Sequence, residues 1–523
     1  MRRGILGLII GGLILLGVGV VVFSKDRPAP AESFEVTVPR LPAEASSEQV
    51  HQLCGSSCHA YPPADSFPKF AWRKEVKQGY EFFRDSKLQL DYPSLESVVQ
   101  YYEKRAPEEF PSPEEPVTLG SIPVEFRRLG FQLPEPFQHP AIANVNLVHL
   151  FDKKKLDILV CDVQYGRVLV LSPYLSPPSW KTIGHVSAPA HAEVVDLDGD
   201  GILDVIVASL GSFSPTDDLV GGVVWFRGRP DGTFTPIPLL KGVGRVADVQ
   251  AADFNGDGKL DLVVGVFGWR NTGEILYLEN QTTDWEHPQF ASHVVDDRHG
   301  TIHVPVCDLN KDGRPDFVAL ISQEHETIVA FLNEGNGRFR KEVIYAAPHP
   351  AYGSSGIQVV DLNGDGNLDV LYTNGDTLDP PYLLKPYHGI QWLENRGSFP
   401  FVHHPVAAMY GVMRAVAADF RGHGQKDIVA VSYLPEEVFP QRRQMKLDSI
   451  LYLEQTRTGK FSAHGLEQIR CDYLTAAAGD LYGDGRIHLV TGTHSMNPDF
   501  VGSNALTIWE NPGRSPQSTP PKK

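Results

Sequence analysis

The chain has 523 residues, 42% of them hydrophobic, which gives a large domain and a smaller one ample core and excludes a disordered chain. Its 64 acidic against 47 basic residues leave a net charge of −17, which argues against a nucleic-acid backbone as partner, because phosphate binding needs clustered Lys and Arg. Five cysteines in a chain of this size exclude a disulfide framework as the stabilising device.

The N-terminus reads Met1-Arg2-Arg3 and then runs from 4 to 23 without a charge, twenty residues, about the length that spans a bilayer core as a helix. With arginines on the near side and an acidic remainder, residues 1–24 are predicted as an uncleaved transmembrane signal anchor of bacterial inner-membrane type. The bulk of the chain is then exported, periplasmic or extracellular. Residues 25–47, rich in Pro, Ala and charge, read as a linker that holds a domain off the membrane.

Residues 48–116 read as a small helical domain. Ser46 to Leu53, Ala71 to Phe83 and Ser94 to Tyr102 carry the helical apolar spacing, and Pro107, Pro111, Pro113 and Pro116 end it. Its motif is Cys54-Gly55-Ser56-Ser57-Cys58-His59, one residue longer than the Cys-x-x-Cys-His of c-type haem attachment. Two thiols would bond the haem vinyl groups and His59 would ligate iron; at i, i+4 on a helix Cys54 and Cys58 still share a face. Three chemistries stay open: covalent haem c at Cys54, Cys58 and His59; a local disulfide or free thiols; and a zinc quartet completed by His51. The segment resembles a degenerate small cytochrome c, a family that often supplies Met as second axial ligand. No Met stands between Met1 and Met409, so a haem here would be five-coordinate or use another residue, with Lys77 and His139 the distant alternatives.

From about Val124 to Asn511 the period changes to short β-rich runs punctuated by Asp, Asn and Gly. The loop Asp196-Leu197-Asp198-Gly199-Asp200-Gly201-Ile202-Leu203-Asp204 recurs at Asp253, Asp308 and Asp361, with eroded copies at Asp152, Asp419 and Asp480. Seven units spaced 44 to 61 residues apart fit one four-stranded blade each and predict a mainly β fold, a seven-bladed β-propeller over 124–511. The tail 512–523 reads as a disordered end. Cys161, Cys307 and Cys471 stand singly and read as buried small hydrophobes.

Each intact loop presents oxygens at positions 1, 3, 5 and 9, with a Gly at 6 where a Cβ would obstruct the turn, the donor pattern of a hard cation that takes about six to eight oxygens. The predicted Ca²⁺ ligands are Asp196, Asp198, Asp200 and Asp204; Asp253, Asn255, Asp257 and Asp261; Asp308, Asn310, Asp312 and Asp316; and Asp361, Asn363, Asp365 and Asp369, about four ions in all. Arg421 and His423 in one eroded copy, and Tyr482 and His488 in another, predict metal-free turns. These units resemble the FG-GAP or VCBS repeats of integrin-α-like propellers over roughly three quarters of the chain. The resemblance implies a structural calcium that braces the hairpin between the innermost strand and the next.

On the strand before each Asp loop, residues four and two before the first Asp are apolar, as in Ala192 and Val194, while those five and three before are mostly polar. His191, Asp248, His303 and Arg414 of that second set are predicted to line the channel together, where they suit an ion or small polar ligand. Insertions at 376–389 and 434–448, with Trp269 and Met496, are expected to build a protein or ligand surface opposite the calcium loops. No Gly-x-Ser-x-Gly elbow, phosphate loop or zincin motif occurs, so no catalytic residue is assigned. The expected function is a membrane-anchored binding propeller with a haem for electron transfer; its rivals are a haem-linked oxidoreductase with a small-molecule site in the channel and an adhesion scaffold without haem.

Overall fold

The computed structural model describes residues 42–55, 60–85, 91–112, 116–117, 119–120, 122–135, 139–495 and 504–513. The predicted anchor, Cys58, His59, Met496 and most of the predicted tail lie outside the described residues. Among the described residues no helix is long and apolar enough to cross a membrane.

Three helices form where the apolar spacing placed them: Ser47–Cys54, Lys69–Asp85 and Leu95–Glu103. The first opens on a reciprocal capping box, in which the Ser46 hydroxyl accepts from Gln49 N and the Gln49 side chain accepts from Ser46 N. Ser94 caps the third through Ser97 N. Their buried faces meet in one cluster built on Val50, Ala71, Trp72, Val76, Val98, Val99 and Tyr102.

The rest is seven antiparallel sheets arranged as a ring. Six are simple meanders in chain order, starting from the inner strands Ile142–Val148, Pro189–Val195, Val246–Ala252, Thr301–His303 (continued by Val306–Cys307), Ser354–Val360 and Val412–Ala418. The fourth inner strand breaks at Pro305, which has no N–H for the ladder. The seventh blade takes Tyr473–Gly479, His488–Thr493 and Leu506–Glu510 from the C-terminal end and its outermost strand, Arg127–Phe131, from before the first blade. Arg127 to Phe131 pair antiparallel with Glu510 to Leu506, so the chain's own two ends close the ring.

Each second strand has six residues, all buried: Asp157–Asp162, Asp204–Ser209, Asp261–Val266, Asp316–Ile321, Asp369–Asn374, Asp427–Ser432 and His488–Thr493. Neighbouring blades cover both faces, which is why these strands read as unbroken apolar runs and not as alternation. The apolar inner-strand set packs between blades, with Ala192 against Val148 and Val249 against Leu197 and Ile206. In such a meander the connections from strand one to two and from three to four share one mouth of the ring, and those from two to three and between blades share the other.

Candidate functional site

The Asp loops join first to second strands, so all stand at one mouth. Their turns are built by the first Asp, whose carboxylate accepts the N–H of position 6: Gly201 to Asp196 at 3.0 Å, Gly258 to Asp253 at 2.9 Å, Gly313 to Asp308 at 3.0 Å and Gly366 to Asp361 at 3.0 Å. Position 5 accepts from position 7 in the same way, as in Ile202 N to Asp200 at 2.8 Å. In the loop 196–204, oxygens of Asp196, Asp198 and Asp204 lie within 4.8 Å of one another. Asp196 Oδ1 is buried without a hydrogen-bond partner, and Asp198 Oδ2 meets only the Arg227 guanidinium, 2.6 Å away in an ion pair without hydrogen-bond alignment. Three convergent carboxylates against one guanidinium, with a buried oxygen left over, suit a hard divalent cation. In the other three loops position 3 is Asn, whose carbonyl accepts from position 5: Asp257 N to Asn255 at 2.9 Å, Asp312 N to Asn310 at 3.0 Å and Asp365 N to Asn363 at 2.9 Å.

The position-9 aspartates carry a second duty. Asp204, Asp261, Asp316 and Asp369 are almost wholly buried at the head of each second strand. One oxygen accepts from position 2 and the other from the end of the third strand: for Asp261, Phe254 N at 3.2 Å and Asn280 N at 2.8 Å, with the Tyr277 hydroxyl at 2.9 Å as a third donor. Burial raises the pKa of all four, and to about 6 for Asp204 and Asp369, with the backbone donors opposing it.

The eroded loops divide differently from the sequence reading. Val148 pairs with Asp157 as Val195 pairs with Asp204, so position 1 of the first blade is His149, not Asp152. Asp152 sits at position 4, and its carboxylate accepts Lys154 N and Lys155 N. Arg421 fills the sixth loop with charge, its guanidinium on Asp427 at 2.8 Å and on Glu454 at 2.6 Å. In the seventh, Asp480, Asp484 and His488 approach within 4.8 Å. There Asn511 N donates to His488 Nδ1 at 3.1 Å, which leaves the ring's proton on Nε2 and no lone pair for a metal.

The four predicted channel residues come together. His191 Nδ1 lies 2.7 Å from Asp248 Oδ1, His303 Nδ1 3.8 Å from Asp248 Oδ2, and Arg414 Nη1 3.3 Å from His303 Nε2. The His191 contact is an ion pair whose angle falls short of a hydrogen bond. Asp248 also accepts Val304 N at 2.8 Å and the Gln250 amide at 3.3 Å. Burial would raise the Asp248 pKa, but the His191 and His303 imidazoles outweigh it and hold the carboxyl well below its ordinary value. Burial likewise works against the charge on His191, yet Asp248 and Glu193 raise it overall. Burial lowers His303, with Arg414 adding to the effect. Glu193 is pushed up to about 7 by burial, against the pull of His191. The inner strand of the first blade adds Asn144 in the register of His191, directly after the same bulge, a position that starting the loop at Asp152 hides.

The opposite mouth is partly covered by the chain itself. Lys74 Nζ donates to Pro380 O at 2.7 Å, the Tyr387 hydroxyl donates to Ser66 O at 3.1 Å, and the Arg270 guanidinium lies 4.4 Å from the Phe82 ring centre. The insertion at 376–389, predicted as a partner surface, therefore meets the chain's own helical segment, with Leu383 in that segment's cluster. The insertion at 434–448 packs on it through Phe439 and Leu384.

Of the motif's Cys54, Cys58 and His59, only Cys54 lies within the described residues, where it is a free thiol. Burial pushes its pKa up to about 11, and the Tyr102 hydroxyl stands beside it. Stacked rings fill the adjoining space: Trp72 on Tyr102 at 3.7 Å and His51 on Tyr61 at 3.7 Å. The Cys54 thiol thus lies against packed aromatic rings, while Cys58 and His59, the other residues of the predicted haem attachment, lie outside the described residues.

A sequence model of the family described as FG-GAP-like repeat matches residues 196–264 and 308–372, and the chain carries such repeats on a seven-bladed propeller. Among curated proteins, cartilage acidic protein 1 of Homo sapiens is 26% identical over 271 residues, 46% of this chain and 38% of that one. Its Xenopus tropicalis counterpart is 27% identical over 208 residues, 36% of this chain and 30% of that one. The matched region thus spans well under half the length of these relatives. Among solved structures, BBS1N in complex with ARL6DN aligns at TM-score 0.43 and 11% identity over 72% of this chain and 93% of that one. The Vibrio cholerae biofilm matrix protein Bap1 aligns at 0.37 and 12% over 75% and 91%.

Proposed function

We propose that the protein is a calcium-braced binding propeller, held outside the cytoplasm by its N-terminal apolar run, which offers the mouth opposite the Asp loops to a protein or small polar ligand. The observation that carries the calcium reading is the loop 196–204, with its convergent carboxylates and the unpartnered buried oxygen of Asp196. Asp196, Asp198, Asp200 and Asp204 would hold one ion, and the three Asn-containing loops one each. A calcium there cross-braces a first and a second strand at the hairpin, and position 9 passes the constraint to the third strand. The −17 net charge supports the same reading, since the thirteen aspartates of these four loops are an unbalanced load without cations.

The test is thermal unfolding of the full-length chain in EDTA and in millimolar CaCl₂, with direct calcium titration. About four ions are expected, with a calcium-dependent rise in Tm that is reduced in Asp196→Asn/Asp198→Asn. A Tm indifferent to calcium would sink the reading.

A further inference from the structure

At the mouth opposite the Asp loops, two connections of the fourth blade bring His299, Glu324 and His325 together. His299 lies between the third blade's last strand, Phe290–Asp296, and Thr301–His303; the other two lie in the turn between Asp316–Ile321 and Thr327–Gly335. The two connections are laced to each other, since Gly300 O accepts both Ser322 N at 2.8 Å and Ser322 Oγ at 2.9 Å. Around the turn, Gln323 and Glu326 hold left-handed φ of 56° and 42°, and buried Glu326 anchors it by accepting Ser354 N at 2.9 Å and Gly353 N at 3.2 Å. On the other side a Cβ on Gly273 would stand 2.4 Å from His299 Cα, so the third blade's loop packs directly against His299. The three side chains are therefore held by backbone that has little room to relax.

Their ligand atoms all lie within 4.8 Å of one another, with His299 Nε2 3.0 Å from Glu324 Oε2 and the two imidazole centroids 5.0 Å apart. Ligand bonds of about 2.0 to 2.2 Å in a tetrahedral zinc site put neighbouring donors about 3.3 Å apart, so small side-chain movements convert this cluster into three ligands. His325 Nε2 is buried without a hydrogen-bond partner, a cost that a metal bond would remove. We propose that His299, Glu324 and His325 form a site for a divalent transition ion of the zinc class, with one coordination position open to water or to a donor from a bound molecule. Two imidazoles with one carboxylate favour such an ion over calcium, which takes oxygen. The neighbouring Arg298 does not oppose the ion strongly, since its guanidinium lies 2.8 Å from Asp296.

The site is tested on tag-free full-length protein, stripped of metal and held in excess calcium so that zinc competes for nothing in the Asp loops. Calorimetric titration with Zn²⁺ should give one site, and Co²⁺ should give the visible bands of a four- or five-coordinate ion. His299→Ala, His325→Ala and the near-isosteric Glu324→Gln should each weaken Zn²⁺ by at least about tenfold and remove the Co²⁺ bands. Unfolding in EDTA shows whether each variant stays folded, and Glu324→Gln keeps the test open if a histidine variant does not. Absence of Zn²⁺ binding to the wild type, or binding unchanged in Glu324→Gln and the folded histidine variants, overturns the proposal and leaves a plain His299–Glu324 ion pair.

Discussion

Arg414 reaches His303 across a blade that has no side chain at the equivalent position. The fifth blade carries Gly356 at the equivalent position, and a Cβ there would stand 2.8 Å from Met413 O and 3.5 Å from Arg414 Cδ. The missing side chain lets the guanidinium from blade six touch the imidazole from blade four. Within this network Glu193 has the most legible titration. Its folded pKa of about 7 exceeds the ordinary 4.5, so its protonated form stabilises the fold at low pH and that contribution is lost as pH rises toward 7. His191, also raised, acts with the same sign over a higher window, losing its contribution as pH rises through its folded value. Glu193→Gln, which keeps an oxygen to accept Ala251 N, should therefore lose less stability than wild type between pH 5 and 8, by up to roughly 3 kcal/mol. Denaturant unfolding at the two pH values measures this, and parallel losses in both proteins would refute it. The polarity of His191, Asp248, His303 and Arg414 was readable from strand alternation, but the order of their contacts was not, because it depends on blades brought side by side.

Among elements, the Asp loop was the most legible, since a nine-residue turn repeats its whole ligand pattern locally. What the spacing concealed was the double use of position 9, which became visible only when the third strand laid its backbone N–H on the same carboxylate. The loop of the first blade shows the complementary error. Asp152 resembles a first position, yet the Val148–Asp157 pairing fixes His149 there, because a strand register admits one alignment and a loose motif admits several. The helices were legible from periodicity, and Ser46 and Ser94, where two of the predicted helices begin, are their N-caps in the structure. Their chemistry was not, because Cys54 faces rings contributed by residues up to 102. The packing of Tyr61, Trp72 and Tyr102 beside that thiol leads us to favour a haem-free segment. Full-length protein made with haem-attachment machinery should then give no covalent haem stain under denaturing conditions, and a stain lost in Cys54→Ala would reverse this reading.

For the whole molecule, closure decides stability. Leu129 and Phe131 of the closing strand pack partly buried against the cluster of Ile142, Val160, Leu506 and Ile508, joining the two ends of the propeller. Leu129→Asp/Phe131→Asp should cost about 2 to 4 kcal/mol and raise amide exchange in Leu506–Glu510 while sparing Asp316–Ile321 on the far side of the ring. Equal acceleration in both strands would mean that the ring opens as one unit and not at its seam. The sequence by itself determined the number of blades, the strand that lines the channel and the loops with cation-binding composition, because each is written within one repeat of local residues. Only the tertiary structure decided that strand 127–131 completes the last blade, that the helical segment meets the 376–389 insertion, and that His299 finds Glu324 and His325. Those contacts join residues from separate repeats or from outside them, and they exist only once the ring has closed and set one blade's loops against the next.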